Sequence, residues 1–465
     1  MTFLENVRLV AEELEEYERD SVSGASRVVR QLPMQEIIQE LDLKGHLERG
    51  ALAGDALAEF VRRYLSLTVR LHHPGSLAHQ VAAPHPAAAW ATLVEGFSNN
   101  PMGVYEMGPA AASIEAFVID WLISKVGWTS APLGQDTAGA GGVLTHGGSL
   151  ANLTALITAR GRFDGSLWAK GSPGDLALIA SAGCHYSVAR AAGIMGIGEE
   201  NVYSGETTAE IGGAIARARA AGRRPFAVVA NACSTATGAF DPLREIAGLS
   251  REHGLWLHVD GAHGASALLS AKHRSRLEGV ELADSLTWDA HKLMRTPGLC
   301  TALLVRDARA LDAAFRQDAS YLIHAKAQPG FDFLHRTVEC TKAALGLRLF
   351  LVLAAMGEKG LAEYIDRQFE ITQQAYELFC GTPGLECPVA PQCNILCFRV
   401  AGDDETQLAV RDRLLADGDF HLSTAIVGDR RYLRMVVMNP ETKLADIRRL
   451  AARVLELAGG GDQAR

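Results

Sequence analysis

Three short apolar runs between Leu255 and Arg306 constrain the fold more than any other feature of the chain. LWLHVD ends on Asp260, SLTWDAHK carries Asp289, Ala290, His291 and Lys292 at its end, and CTALLV follows Gly298. Short continuous apolar runs bounded by Gly and polar residues read as strands buried on both faces, the kind that parallel sheets use. In open α/β sheets, ligands bind at the carboxyl ends of such strands. Two of these ends deliver an acid, Asp260, and an amine, Lys292, separated by 292 − 260 = 32 residues.

The preceding stretch repeats the pattern. LALIASAG leads to Cys184, His185 and Tyr186 and then a helix; PFAVVANACSTATGAF is a strand with a Thr/Gly-rich loop that contains Thr235; REIAGLSREHG is a helix. Strands alternating with helices at this spacing imply a mainly parallel sheet. His185, Thr235, Asp260 and Lys292 each follow a strand, so they converge on one sheet edge. A lysine that condenses with an aldehyde, paired with a carboxylate that keeps a pyridine nitrogen protonated, is the arrangement pyridoxal 5'-phosphate (PLP) chemistry requires. Either residue alone reads better as a surface lysine or an ordinary strand-end acid; the pair, each at a strand end, favours the cofactor.

LTHGGSLANLTALITARGRF supplies the matching anion site. Gly147 and Gly148 make a tight turn, Ser149 stands at the N-cap position, and a helix follows with Leu153, Leu156 and Ile157 inward. Backbone N–H groups at such a helix start attract a phosphate, although a plain Ser-capped helix has the same pattern. His185 reads either as a structural histidine or as an imidazole stacked on a pyridine ring. Thr235 is a weak candidate for a hydroxyl near the cofactor, and His291 reads as a positioned neighbour of Lys292. Arg434, on a short strand, reads either as a carboxylate clamp or as a solvent-facing strand residue.

With 465 residues the chain exceeds one hydrophobic core. We expect an N-terminal helical arm and substrate-loop segment over 1–95, a large cofactor-binding domain over 96–345 and a smaller α+β domain over 346–465. Within the arm, Leu4, Val7, Val10 and Leu14, then Leu57, Phe60, Val61, Tyr64 and Leu65, fall at helical spacing. LHHPGSLAHQVAAPHPAAAW has too many breakers for a helix, whereas Ala110 to Val126 reads as one, ended by Gly127. The apolar helix TKAALGLRLFLVLAAMG ends at Gly357. A net charge of −9 without a basic stripe argues against nucleic acid as a partner. No run approaches a membrane span, and the acidic, helix-like start lacks a signal-peptide pattern, so the expected location is cytoplasmic and no membrane partner is expected. The eight cysteines include no CxxC pair, and Cys393 and Cys397 have no matching His/Cys pair, so no metal site is expected and core thiols are the better reading.

HHPGSLAHQV, NNPMGVYEMGPAAASIE, THGGSLANL, CHYSVARAA, TATGAFDPL, HVDGAHG, ADSLTWDAHK and LRMVVMNPET occur in this order between Leu71 and Asp446. In that ordered set the chain resembles the group II PLP-dependent amino-acid decarboxylases of fold type I, which include glutamate, cysteine sulfinate, aromatic amino-acid and 2,4-diaminobutyrate decarboxylases. The resemblance implies an aminotransferase-like α/β fold with a seven-stranded-type, mainly parallel sheet. It implies that Lys292 forms the Schiff base, that Asp260 pairs with the pyridine nitrogen, and that Ala262 and His185 lie on the two ring faces. Gly148, Ser149 and His291 would hold the phosphate, and Thr235 would lie near a cofactor oxygen. Gln80 and Arg434 would touch the substrate, Arg434 at its α-carboxylate. The family works as homodimers with swapped N-terminal helices, which gives the arm a surface to lie on.

The sequence departs from the family pattern at three places. Gly261 and His263 replace an Ala and a bulky aromatic, Asp289 replaces the Asn of the glutamate and aromatic enzymes, and the loop SYLIHAKAQPGFDFLHR places Phe331 where many members carry a proton-donating tyrosine. The expected reaction is α-decarboxylation of a small, aliphatic, polar L-amino acid such as 2,4-diaminobutyrate, glutamate or aspartate. Phe331 motivates the alternative, oxidative deamination to an aldehyde or transamination on the same scaffold; a PLP-binding but inactive assembly subunit is the remaining reading.

Overall fold

The computed structural model describes residues 1–315 and 330–459. The chain forms two compact units, one of Pro84–Arg367 and one of Met1–Ala83 with Gln368–Arg465.

In the Pro84–Arg367 unit, seven strands form one sheet: β1 (Gly141–Thr145), β2 (Leu176–Ser181), β3 (Val202–Gly205), β4 (Arg224–Asn231), β5 (Trp256–Asp260), β6 (Ser285–Asp289) and β7 (Thr301–Val305). Their order is β1-β7-β6-β5-β4-β2-β3. All neighbours from β6 to β3 run parallel, and β7 runs antiparallel to both β6 and β1. The mainly parallel, seven-stranded sheet expected from the sequence is present. β1, β2, β6 and β7 are buried along their whole length, as strands covered on both faces must be. Because β6, β5, β4 and β2 are parallel neighbours, their carboxyl ends share one edge, and the chain leaves the sheet there at His185, Thr235, Asp260 and Lys292.

Helix Gly148–Phe163 packs Ala151, Ala155, Leu156 and Ala159 into the core of this unit. Its start corrects one expectation. Gly147, at φ +102°, takes the N-cap position, no side chain caps the helix, and Ser149 is its second residue. The first-turn N–H groups are therefore left to something other than a serine hydroxyl. A buried pair pins the strand that feeds this turn: Glu115 Oε1 accepts from Leu144 N (2.9 Å) and lies 3.4 Å from Lys342 Nζ, while that ammonium donates to the Leu144 carbonyl. A second correction concerns Pro86–Ser98, which is helical although the sequence around it is rich in breakers. Proline is compatible with the first helical position, and His85 Nδ1 accepts from Ala87 N to cap the end. Ala110–Val126 is helical as expected, from Pro109 to the positive-φ Gly127. The long helical stretch Leu345–Cys380 is interrupted at Gly357.

In the other unit, helix Phe3–Val22 packs on helix Asp55–Ser66, and Arg62 clamps Glu13 bidentately, with Nε–Oε2 at 2.9 Å and Nη2–Oε1 at 2.5 Å. Strands β8 (Leu385–Glu386), β9 (Ile395–Val400), β10 (Ser423–Val427) and β11 (Arg430–Val436) form an antiparallel sheet in the order β10-β11-β9-β8. Leu396, Phe398, Leu433 and Met435 from this sheet share a core with Ile447, Leu450 and Val454 of helix Leu444–Gly459. Cys393 and Cys397 are buried in this unit. Among the described residues no helix is long and apolar enough to cross a membrane, and no cluster of three metal-ligating side chains occurs.

Candidate active site

The two-residue period of β5 puts Trp256, His258 and Asp260 on one face of the sheet. On β6 the same period aligns Ser285, Thr287 and Asp289, in the register His258 opposite Ser285 and Asp260 opposite Thr287. Helix Gly148–Phe163 lays a single polar side chain, Asn152, onto this stripe. Its Nδ2 donates to Asp260 Oδ2 at 2.8 Å, and the other carboxylate oxygen accepts from Ala262 N at 3.2 Å. Asp260 is thus a nearly buried carboxylate held from two sides at the end of its strand.

Lys292 follows β6 and is largely buried. Its Nζ lies 3.0 Å from Asp289 Oδ2, which is also 3.5 Å from His291 Nε2; Asp289 Oδ1 accepts from the Thr301 hydroxyl at 2.6 Å. Burial by itself drives the amine down and the carboxyl up, but here the pairing wins. Asp289, and then Asp260, hold the Lys292 amine above its usual range, while Lys292 and His291 hold the Asp289 carboxyl below its own. The amine therefore sits in the field of two carboxylates.

His185 accepts from Ser187 N (3.2 Å) at Nδ1, and the same nitrogen is 2.9 Å from Ser187 Oγ. With Nδ1 accepting, the neutral ring carries its proton on Nε2. Burial keeps this imidazole below its ordinary pKa; Asp260 opposes that shift and Lys292 reinforces it, so His185 lies within the field of the same charged group. Gly148 faces it too: a Cβ there would stand 3.1 Å from Asp289 Oδ1 and 3.5 Å from the Ala262 methyl. The helix start, Asp289 and Ala262 thus border one space that a side chain at 148 would fill.

The structure brings Lys292, Asp260, Ala262, His291, Gly148 and His185 together. Thr235 and Ser149 are exposed, on the loop after β4 and on the first helical turn. Phe331 packs edge-on against Phe333 (5.2 Å) and under the Arg336 guanidinium (4.4 Å). Residues 320–329 of the loop that carries it lie outside the described residues. Gln80 and Arg434 belong to the other unit, where Arg434 Nη1 donates to the Ala78 carbonyl and the Ser423 hydroxyl, both at 3.2 Å. Sequence reading missed Asn152, His258, Thr287 and Ser285. A signal was available: two adjacent strands with polar residues at every second position, WLHVD and SLTWD, and an Asn on the apolar face of a helix. A buried polar group of this kind must be hydrogen-bonded.

These groups fit PLP. A buried amine flanked by carboxylates, a second carboxylate fixed at a strand end, and an uncapped helix start bordering a side-chain-free space at Gly148 supply partners for an aldehyde, a pyridine nitrogen and a phosphate. Comparison with known proteins agrees. The family model described as the pyridoxal-dependent decarboxylase conserved domain matches residues 50–401. The cysteine sulfinic acid decarboxylase of Mus musculus is 31% identical over 465 residues, covering 94% of this chain and 92% of that protein. The L-2,4-diaminobutyrate decarboxylase of Acinetobacter baumannii is 28% identical over 434 residues, covering 86% and 83%. The crystal structure of mouse CSAD superposes with a TM-score of 0.86 at 28% identity, covering 97% of this chain and 98% of that one. The family match and the relatives' identity show that the chain belongs to the pyridoxal-dependent decarboxylases and is a PLP-dependent amino-acid carboxy-lyase.

Proposed function

We propose that the protein removes the α-carboxylate of a small, aliphatic, polar L-amino acid, releasing CO2 and an amine. The observation that carries this reading is the Lys292 amine held charged between Asp289 and Asp260. Lys292 would hold the cofactor's aldehyde carbon, and Asp260 its ring nitrogen. Ala262 and His185 would lie against the two ring faces, Gly148, Ser149 and His291 at its phosphate, and Thr235 near a ring oxygen. When bound, PLP supplies a sink for the electron pair left when the Cα–carboxylate bond breaks.

The chain's own groups supply the rest. Asp260, held by Asn152 and Ala262, keeps the proton of its partner nitrogen in place. His185, with its proton on Nε2, is the group from which a proton would pass to Cα where the loop carries Phe331 in place of a tyrosine. Gln80 and Arg434 would meet the substrate, Arg434 at its carboxylate. The named activities of the cysteine sulfinic acid and 2,4-diaminobutyrate decarboxylases support a short substrate with a polar end. Exposed Phe3, Leu4 and Leu14 on the first helix support a homodimer in which these helices lie on the partner subunit.

The test is a panel of amino acids given to the holoenzyme, with CO2, amine, ammonia and peroxide all assayed. We expect CO2 and amine in equal amounts from an acidic or diamino substrate. CO2 with ammonia and peroxide would replace this reading with oxidative deamination. Lys292→Ala should lose at least about 1,000-fold in kcat, because it removes the residue that holds the cofactor covalently. Full turnover by that variant would contradict the assignment.

A further inference from the structure

The Asn152 amide makes four hydrogen bonds, all that its two N–H donors and two carbonyl lone pairs allow. Nδ2 donates to Asp260 Oδ2 (2.8 Å) and Ser187 Oγ (2.9 Å); Oδ1 accepts from His258 Nε2 (3.0 Å) and Thr287 Oγ1 (2.8 Å). The proton directions follow from the partners. Asn152 Nδ2 donates to the Asp260 carboxylate, so Oδ1 faces His258 Nε2, which must donate; Nδ1 of the neutral ring then accepts the proton of Ser285 Oγ (2.8 Å), which itself accepts from Trp256 Nε1 (2.8 Å). Burial pushes His258 down to about 4, so the ring is neutral and its one proton, on Nε2, points at Asn152. At the other end, the Ser187 hydroxyl receives Asn152 and passes its own proton to His185 Nδ1. The result is one directed chain, Trp256 to Ser285 to His258 to Asn152, which forks to Asp260 and, through Ser187, to His185.

We infer that Asn152 and His258 are positioning residues that lock the Asp260 carboxylate and the His185 ring into one mutual orientation and sustain the ring-nitrogen proton that Asp260 holds. A helix face that had only to fill space would carry Leu at 152, since a buried amide is costly unless every group is satisfied. Hydrogen bonds that all run one way also polarise one another, so the Asn152 N–H meets Asp260 with more positive charge than it would alone. The inference rests on the roles of Asp260 and His185 proposed above.

The test uses holoenzyme loaded with PLP carrying 15N in the ring, with ring-nitrogen resonances followed against pH in wild type, Asn152→Leu, His258→Leu and His258→Gln. Leu fills space without a donor; Gln restores an N–H toward Asn152 Oδ1. In wild type we expect a protonated ring nitrogen throughout the neutral range. Both Leu variants should lose that proton at lower pH, with kcat down at least about tenfold and KM within about threefold, and His258→Gln should recover most of both. Thr287→Val, which removes one donor from the same carbonyl, serves if a Leu variant fails to fold and should show a smaller shift in the same direction. Unchanged ring resonances in the folded variants, or equal losses in His258→Gln and His258→Leu, would overturn the positioning role while leaving Asp260 in place. An unprotonated ring nitrogen in wild type would overturn both the role of Asp260 and this inference.

Discussion

Asp289 decides the charge of the residue the chemistry depends on. In the cofactor-free protein its carboxylate keeps Lys292 protonated against the pull of burial, whereas condensation with an aldehyde requires the neutral amine. Asp289→Asn removes the charge and leaves the shape. The amine should then titrate lower and be neutral more often at pH 7. PLP should attach to the apoprotein faster in proportion, by about tenfold if the amine's pKa falls by one, with a weaker dependence on pH. Stopped-flow absorbance of apoprotein mixed with PLP measures this; an unchanged rate-against-pH curve would remove Asp289 from the account. Lys292 and Asp260 were legible in the sequence because strand ends are where α/β sheets expose polar groups. Asn152 and His258 were missed although the alternation in WLHVD and SLTWD marked polar positions, because only the β5–β6 register shows which of these polar groups are partners. The position of Ser149 was misread because Gly147, which no sequence rule ranks above serine at that position, takes the N-cap with a positive φ.

Among the elements, the turn from β1 into helix Gly148–Phe163 borders the site, and Glu115 with Lys342 pins the strand that feeds it by gripping both the N–H and the carbonyl of Leu144. Both side chains are fully buried, and burial pushes the Glu115 carboxyl up, with Lys342 opposing. Breaking such a pair leaves an uncompensated buried charge. Lys342→Met should therefore destabilise the protein by about 3–5 kcal/mol, and the double variant Glu115→Leu/Lys342→Met by clearly less. Urea unfolding of the two variants checks this; equal losses would mean that the pair acts only through packing. Most elements were readable from period and punctuation, including the helix break at Gly357 and the stop at Gly127. Pro86–Ser98 escaped because its Pro and His residues, counted as breakers, turn out to sit at the helix start, where both are useful.

At the scale of the whole molecule, two buried histidines make stability depend on pH. His258 and His421 are both pushed down to about 4, chiefly by burial, from the ordinary 6.5. The unfolded chain protonates them below about 6.5 and the folded chain only near 4, so stability falls as the pH drops through this window and these two groups add nothing further below it. For His258 the full effect is about 3 kcal/mol. Urea midpoints at pH 7 and pH 5 should therefore differ, and His258→Gln should flatten the difference; a slope identical to that of wild type would contradict the burial argument. The large sheet was legible because its strands are continuous apolar runs. The grouping of Met1–Ala83 with Gln368–Arg465 was not, because contacts between distant ends of a chain leave no local pattern. The role of Lys292 is tested by reducing PLP-loaded protein with borohydride, digesting it and locating the modified residue by mass spectrometry. We expect one pyridoxyl group, on Lys292. A pyridoxyl group on another lysine, or none after incubation with PLP, would contradict that role.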